Sequence, residues 1–334
     1  MFQTLKKCLP AEIGVSGFEG PIAARIAEEM RPLVDEVYTD AMGNLICLKK
    51  GSDEAPAAVM LTAHMDEIGF VVNYIEESGF LRVAPIGGID YTAAAYAEVV
   101  FENGVRGVLV PESDRKATEA PTAEKCYVDI GVGSRREAEK KVKIGDTLAL
   151  LPHITRLAGQ RICGRPLDNR VGCAVLIDVA RRLKKRSFDV YFVFSVQEEV
   201  GCRGARPAAF GIAPELSLVV DVTGTGDTVG AKPMAVKLGE GVAVKVKDKS
   251  VICHREVVSG LLDLAKAKDI SAQTEILTYG GTDTSAVQMT GLGCRAGALS
   301  VPCRYIHSGN EVLDLRDVKA AVSLMVAYLE EVTL

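Results

Sequence analysis

The chain has no tryptophan, and aromatic residues make up only 5% of its 334 positions. Glycoside hydrolases work with paired carboxylates and generally hold sugars on aromatic rings, so this composition argues against a carbohydrate-cleaving enzyme. No stretch reaches 18 consecutive apolar residues, and the opening MFQTLKKCLP lacks the apolar run of a signal peptide. The nine cysteines are odd in number, scattered singly and never spaced CxxC. Several sit inside apolar runs, where a free thiol behaves as a small hydrophobe. A reduced, cytoplasmic protein is expected. Basic patches are also missing: the formal net charge is −5, and no run of Lys and Arg alternates with aromatics. Neither nucleic acid nor an anionic membrane is expected as a partner. RRLKKR at 181–186 reads as the solvated, basic end of a helix, where cations complement the dipole.

What is present is an ordinary globular balance, with 48% hydrophobic and 25% charged residues over a length comfortable for two domains. Residues 17–33 and 315–332 carry helical apolar spacing, and 57–63 (AAVMLTA) is a continuous apolar run expected of a central strand covered on both faces. From about 69 to 160 the texture changes to six short strand candidates: 70–74, 80–83, 97–101, 105–110, 127–131 and 147–151. Turn residues separate them, including the Asn103-Gly104 hairpin signal. That pattern predicts a small β-barrel or sandwich. An α/β rhythm returns after 165, with a helix at 169–183 that Asp168 could cap, strands at 190–196, 216–220, 274–278 and 296–301, and helices at 255–267 and 283–290. The inferred organisation is an α/β domain made of 1–68 plus 161–334, interrupted by an all-β domain at 69–160.

Acidic and histidine residues fall where strands end. His64 and Asp66 follow 57–63, Glu198 and Glu199 follow DVYFVFSVQ, Asp221 follows LSLVV, His307 follows LSVPCRYI, and Asp168 opens a helix. In open α/β sheets ligands bind at the carboxyl ends of strands, so these side chains are expected to share one crevice. Each has a bland reading alone: a histidine after a strand is more often a core or capping group, a Glu-Glu pair a charged loop, an Asp a helix cap. Together they are harder to dismiss, because burying several carboxylates without a cation is costly. Two histidines and three carboxylates suit zinc, cobalt or manganese, and one carboxylate could bridge two ions.

The blocks AHMDEIGF (63–70), RPLDNRVG (165–172), VQEEVGCRGA (196–205), VVDVTGTGD (219–227), GGTDTSA (280–286) and RYIHSG (304–309) resemble the tetrahedral or glutamyl aminopeptidase family, some of whose members carry endoglucanase labels. The resemblance starts at IGVSGFEG and DAMGNLICLKK and runs to the C-terminus. It implies a zinc-peptidase-like three-layer α/β/α catalytic domain with the inserted barrel-like domain. It further implies two divalent ions, with Asp168 bridging, His64 and Asp221 completing one site, and Glu199 and His307 the other. Glu198 would be the general base, and Asp66 would sit behind His64 and fix its tautomer. A strained Asp168–Asn169 peptide is implied too, cis being one form it could take. The sequence departs from the family at TGTGDTV (223–229), where relatives often carry a His and a Pro, and at Gly309, where Pro is common.

The implied activity is removal of N-terminal residues from short peptides. The backbone of Gly280, Gly281 and Thr282 is a candidate for holding the substrate main chain, with a plain turn before a helix as the equal alternative. A related carboxypeptidase or N-acyl amino acid deacylase shares the ligand logic and would be expected to hold a substrate carboxylate with an Arg or Asn from the inserted domain, which offers Arg82 and Arg106 among its arginines. The resemblance also implies pairing of subunits through 69–160 into a homodimer, with a hollow homododecamer as the larger form.

Overall fold

A computed structural model describes residues 1–8, 12–113 and 120–334. The strand Ala58–His64 shows why the apolar run matters: Val59, Leu61 and Ala63 enter one core cluster, while Met60 points into another on the opposite face. Alternate residues of a strand face opposite ways, so a strand buried on both faces must be apolar throughout. On one side it pairs in parallel with Asp189–Ser195, Ser195 lying beside His64, and on the other with Leu216–Thr223.

Around this centre lies an eleven-stranded mixed sheet. Its order runs Glu36–Thr39, Leu45–Lys49, Asp189–Ser195, Ala58–His64, Leu216–Thr223, Arg295–Arg304, Glu311–Asp314, Arg161–Arg165 and His153–Arg156, while Val242–Lys247 branches from Arg295–Arg304 and pairs in turn with Ala272–Ile276. Helices Gly20–Met30, Arg170–Arg182, Arg255–Ala267 and Leu315–Glu331 bury one face. Ala205–Ile212 and Asp283–Gln288 cover the other, giving helix, sheet and helix layers. The helix at 170–182 is buried along most of its length, and its basic end is solvated as expected, with Arg181 paired to Glu29 at 2.7 Å.

Between Gly69 and Leu150 six antiparallel strands close into a barrel. Phe70, Val72, Leu81, Val83, Val99, Leu109, Val128 and Leu148 fill it as a core separate from that of the sheet. The hairpin joining Glu98–Phe101 to Arg106–Pro111 turns at Asn103-Gly104, where Gly104 takes φ +83. That left-handed backbone carries no penalty for glycine. The strand His153–Arg156 falls inside the 69–160 interval yet pairs with Arg161–Arg165 at the edge of the large sheet.

One local expectation is corrected. The helix cap is Asn169, whose Oδ1 accepts from Gly172 N at 3.0 Å, and not Asp168. With Asn169 satisfying the orphan N–H, the Asp168 carboxylate is free to face the crevice. Elements that escaped the pattern reading include Phe2–Cys8, Glu36–Thr39, His153–Arg156, Arg161–Arg165, Ala205–Ile212, Val242–Lys247 and Glu311–Asp314. Each is short or flanked by glycine, so too few turns or alternations accumulate to give a period. No helix among the described residues is long and apolar enough to cross a membrane.

Candidate metal centre

The parallel pairing sets the stage. His64 ends its strand, Glu198 and Glu199 begin three residues after Ser195 on the neighbouring strand, and Asp221 lies within the strand on the other side. Asp168 joins them from the loop between Arg161–Arg165 and the helix Arg170–Arg182, and the Asp168–Asn169 peptide is cis. His307 comes from the loop beyond Arg295–Arg304, with a left-handed backbone of φ 63.

The two Asp168 oxygens face different histidines: Oδ1 lies 3.2 Å from His64 Nε2, and Oδ2 lies 3.4 Å from His307 Nε2. His64 Nε2 is also 3.5 Å from Asp221 Oδ1, while His307 Nε2 is 3.0 Å from Glu199 Oε2. Donor atoms of His64, Asp168 and Glu199 all lie within 4.8 Å of one another. The arrangement is therefore two adjoining donor groups that share Asp168. Asp168 Oδ1 and Glu199 Oε1 are buried without a hydrogen-bond partner, which is costly for a carboxylate unless a cation meets it.

Proton affinities point the same way. Burial opposes a charge on either histidine, yet Asp221, Asp168 and Asp66 hold His64 well above its usual pKa. Asp168 and Glu199 likewise raise His307 to about 11. Burial pushes Glu199 and Asp221 up, with the Asp168 charge adding to it, whereas the two histidines pull Asp168 down against its own burial. The cluster as a whole favours positive charge among its carboxylates. Neutral nitrogen and carboxylate oxygen donors of this kind fit divalent transition ions.

Glu198 holds a different position. Its Oε2 stands 4.0 Å from His64 Nε2, and its Oε1 accepts from the Cys202 thiol at 3.4 Å. Burial, above all, raises its pKa well above the ordinary carboxylate value. Asp66 has more partners than expected. Its Oδ1 is 3.4 Å from His64 Nδ1, but its own backbone carbonyl is nearer at 3.2 Å. The carboxylate also accepts from Glu198 N, Glu199 N and the Ser16 hydroxyl, at 3.0, 3.2 and 2.6 Å. It thus places the Glu-Glu loop as well as the histidine.

These residues open on a cavity of about 680 Å³ whose walls include Gly280, Gly281 and Thr282, so the five expected ligands, Glu198 and the expected substrate-holding backbone all reach it, whereas Asp66 does not. His307, 31% exposed, lies on its open side. The barrel contributes Gly88 to the wall, where an added Cβ would stand 3.2 Å from His307 Nδ1. Arg82 does not reach the cavity. It pairs within the barrel with Glu76 and Glu112 at 2.7 and 2.6 Å, and Arg106 is absent from the lining as well.

The sequence reading missed the supports. Glu311 is fully buried, and its Oε2 accepts from Leu167 N and Asp168 N at 2.5 and 3.1 Å, while Oε1 accepts from His307 N at 3.1 Å. One carboxylate therefore ties together the two loops that face each other across the site. Arg165 donates to Ser308 O and Ile68 O, and Arg170 donates to Met65 O and Glu67 Oε1. In the sequence, Arg165 and Arg170 were marked only by lying inside the RPLDNRVG block, and Glu311 carried no signal.

The family model described as M42 glutamyl aminopeptidase matches residues 43–324. A protein of Acetivibrio thermocellus is 45% identical over 98% of this chain and 97% of its own length. The solved structure of an aminopeptidase from the archaeon Desulfurococcus kamchatkensis superposes with a TM-score of 0.95 at 36% identity, covering 99% of this chain and 96% of that one. A Pyrococcus horikoshii peptidase described as able to assemble into a tetrahedron or a large octahedral shell superposes at 0.86 and 33% identity, over 99% of both chains.

The Glu311 bracket makes a stability prediction. Glu311→Ala leaves three buried N–H groups without their acceptor and should lower the unfolding free energy by at least about 1–3 kcal/mol. Glu311→Gln, which keeps one acceptor oxygen, should cost less. Urea unfolding of the two variants checks this, and a Glu311→Ala protein as stable as the parent would refute the bracket.

Proposed function

The chain belongs to the M42 glutamyl aminopeptidase family and is a hydrolase of the aminopeptidase class, and on that premise we propose that it removes N-terminal residues from short peptides at a dinuclear centre. The observation that carries the reading is Asp168, with one oxygen turned to His64 and the other to His307. In this reading Asp168 would be shared by two divalent ions, zinc or cobalt with manganese as a further option, which His64 and Asp221 would hold on one side and Glu199 and His307 on the other. When bound, the ions polarise the scissile carbonyl and acidify the attacking water.

The chain's own residues do the rest. Glu198, outside both donor groups yet within reach of them, takes the water's proton on Oε2 and returns it to the leaving amine nitrogen. Its raised proton affinity suits a group that must hold that proton and then give it up. Asp66 positions His64 together with the backbone of Glu198 and Glu199, so base and ligands keep one geometry. The backbone of Gly280–Thr282 holds the substrate main chain at the cavity wall, and the carboxylates receive the free α-amino group, which makes the reaction exopeptidic. The carboxypeptidase or deacylase alternative lacks support, since among the described residues no asparagine lines the cavity and the one arginine that does, Arg304, is held by Asp227 at 2.7 Å.

We read the barrel as the subunit-pairing element of a homodimer that builds a dodecamer, on the likeness to relatives that form closed shells. Closed symmetric assembly is the usual form of homo-oligomers, and a shell that admits only short or unfolded peptides would spare folded proteins.

Three outcomes are expected. Chelation should abolish cleavage of aminoacyl-p-nitroanilides, and cobalt, zinc or manganese should restore it, with N-acetylated amino acids left intact throughout. Activity in a verified metal-free preparation would sink the dinuclear reading. Glu198→Gln should keep both metals by elemental analysis and lose at least ~100-fold in turnover, whereas Glu199→Gln should lose metal; the opposite pattern exchanges the two roles. Light scattering should give a multimer mass for the full chain, and a monomer at micromolar concentration would leave the barrel without its assembly role.

A further inference from the structure

Glu198, Cys202 and Asp283 place one donor atom each within 4.8 Å of one another, beside the proposed catalytic centre and separate from its five ligands. Glu198 and Cys202 come from the loop after Asp189–Ser195, and both line the cavity. Asp283 opens the helix Asp283–Gln288 from the other side. Its Oδ2 accepts from the Ser195 hydroxyl at 2.5 Å, but Oδ1 is buried with no hydrogen-bond partner in a side chain only 1% exposed. That orphaned oxygen is a standing cost which a cation would relieve.

We propose that these three residues form an accessory site for a thiophilic divalent cation, zinc or cadmium, whose occupation switches the enzyme off by engaging Glu198. The inhibitory half rests on Glu198 being the general base. Zinc holds thiolate at about 2.3 Å and carboxylate oxygen at about 2.0–2.2 Å in a tetrahedral shell, which sets neighbouring ligand atoms roughly 3.6 Å apart. Cys202 Sγ and Glu198 Oε1 are already 3.4 Å apart. Burial and the neighbouring carboxylates keep the Cys202 thiol protonated, so it is a poor nucleophile. A bound cation alters this: the metal–sulfur bond forms as the thiol proton leaves to buffer. Sulfur distinguishes this site from the proposed catalytic pair, whose donors are all nitrogen and oxygen, and so selects soft ions over magnesium or calcium.

Cadmium is the probe, added to the metal-loaded full-length enzyme while the ultraviolet thiolate-to-metal charge-transfer band and the peptidase rate are followed together. The expected result is one cadmium per chain beyond the catalytic ions, a band that rises with occupancy and a rate that falls in step. Loss of an outer-shell partner already costs about 10- to 100-fold in metal affinity, so Cys202→Ser and Asp283→Asn should each raise the inhibiting concentration by at least about tenfold, relative to each variant's own uninhibited rate. Cys202→Ser should also abolish the band. No Cys202-dependent band overturns the site and leaves the Glu198 reading standing. A full band with undiminished activity overturns the inhibitory role and counts against Glu198 as base.

Discussion

The Asp168 carboxylate sits between His64 and His307, one oxygen toward each, and the surrounding structure is organised to hold it there. A carboxylate in that position can serve two cations only if both of its neighbours are fixed as firmly as it is. His64 is fixed by the central strand and by Asp66 behind it. His307 sits on a loop, and its backbone N–H is tied to Glu311, the same carboxylate that receives the N–H groups of Leu167 and Asp168. Asn169 caps the following helix and donates to Val220 O, so the chain on either side of Asp168 is anchored.

Holding so many carboxylates together requires buried cations of the protein's own. Arg165 and Arg170 are fully buried next to Glu67 and Glu311, with guanidinium groups reaching backbone carbonyls of the 65–68 and 308 loops. Guanidinium suits this task because its planar donors can satisfy several acceptors at once. Removing one member would strand the others, the expensive failure of a buried ionic network. None of these four residues lines the cavity.

The barrel also belongs to the site's geometry. The turn after Leu81–Ile86 brings Gly87 against Ile68 and Glu199 and Gly88 against His307. A Cβ at Gly87 would stand 2.6 Å from the Ile68 side chain, and its φ of +81 already calls for glycine. The cavity is thus bounded by residues of both folding units, and a change in how the barrel sits would be felt at His307.

The continuous apolar run before His64 and the short, turn-separated segments of 69–160 were enough to announce a doubly covered sheet and a separate β unit, because burial on both faces and frequent turns leave a local mark in the sequence. The placement of His64, Glu198, Glu199, Asp221 and His307 just at or after strands was equally visible, since strand ends in a parallel sheet share one edge. The sequence could not show which Asp168 oxygen meets which histidine, nor that Asn169, and not Asp168, caps the helix. Nor could it show that Glu311, four residues beyond His307, reaches back to Leu167 and Asp168. Apart from the cap, which joins Asn169 to Gly172, those relations join residues more than a hundred positions apart through single polar contacts. Such contacts impose no repeat on the chain, and only the closed tertiary structure brings the partners within bonding distance.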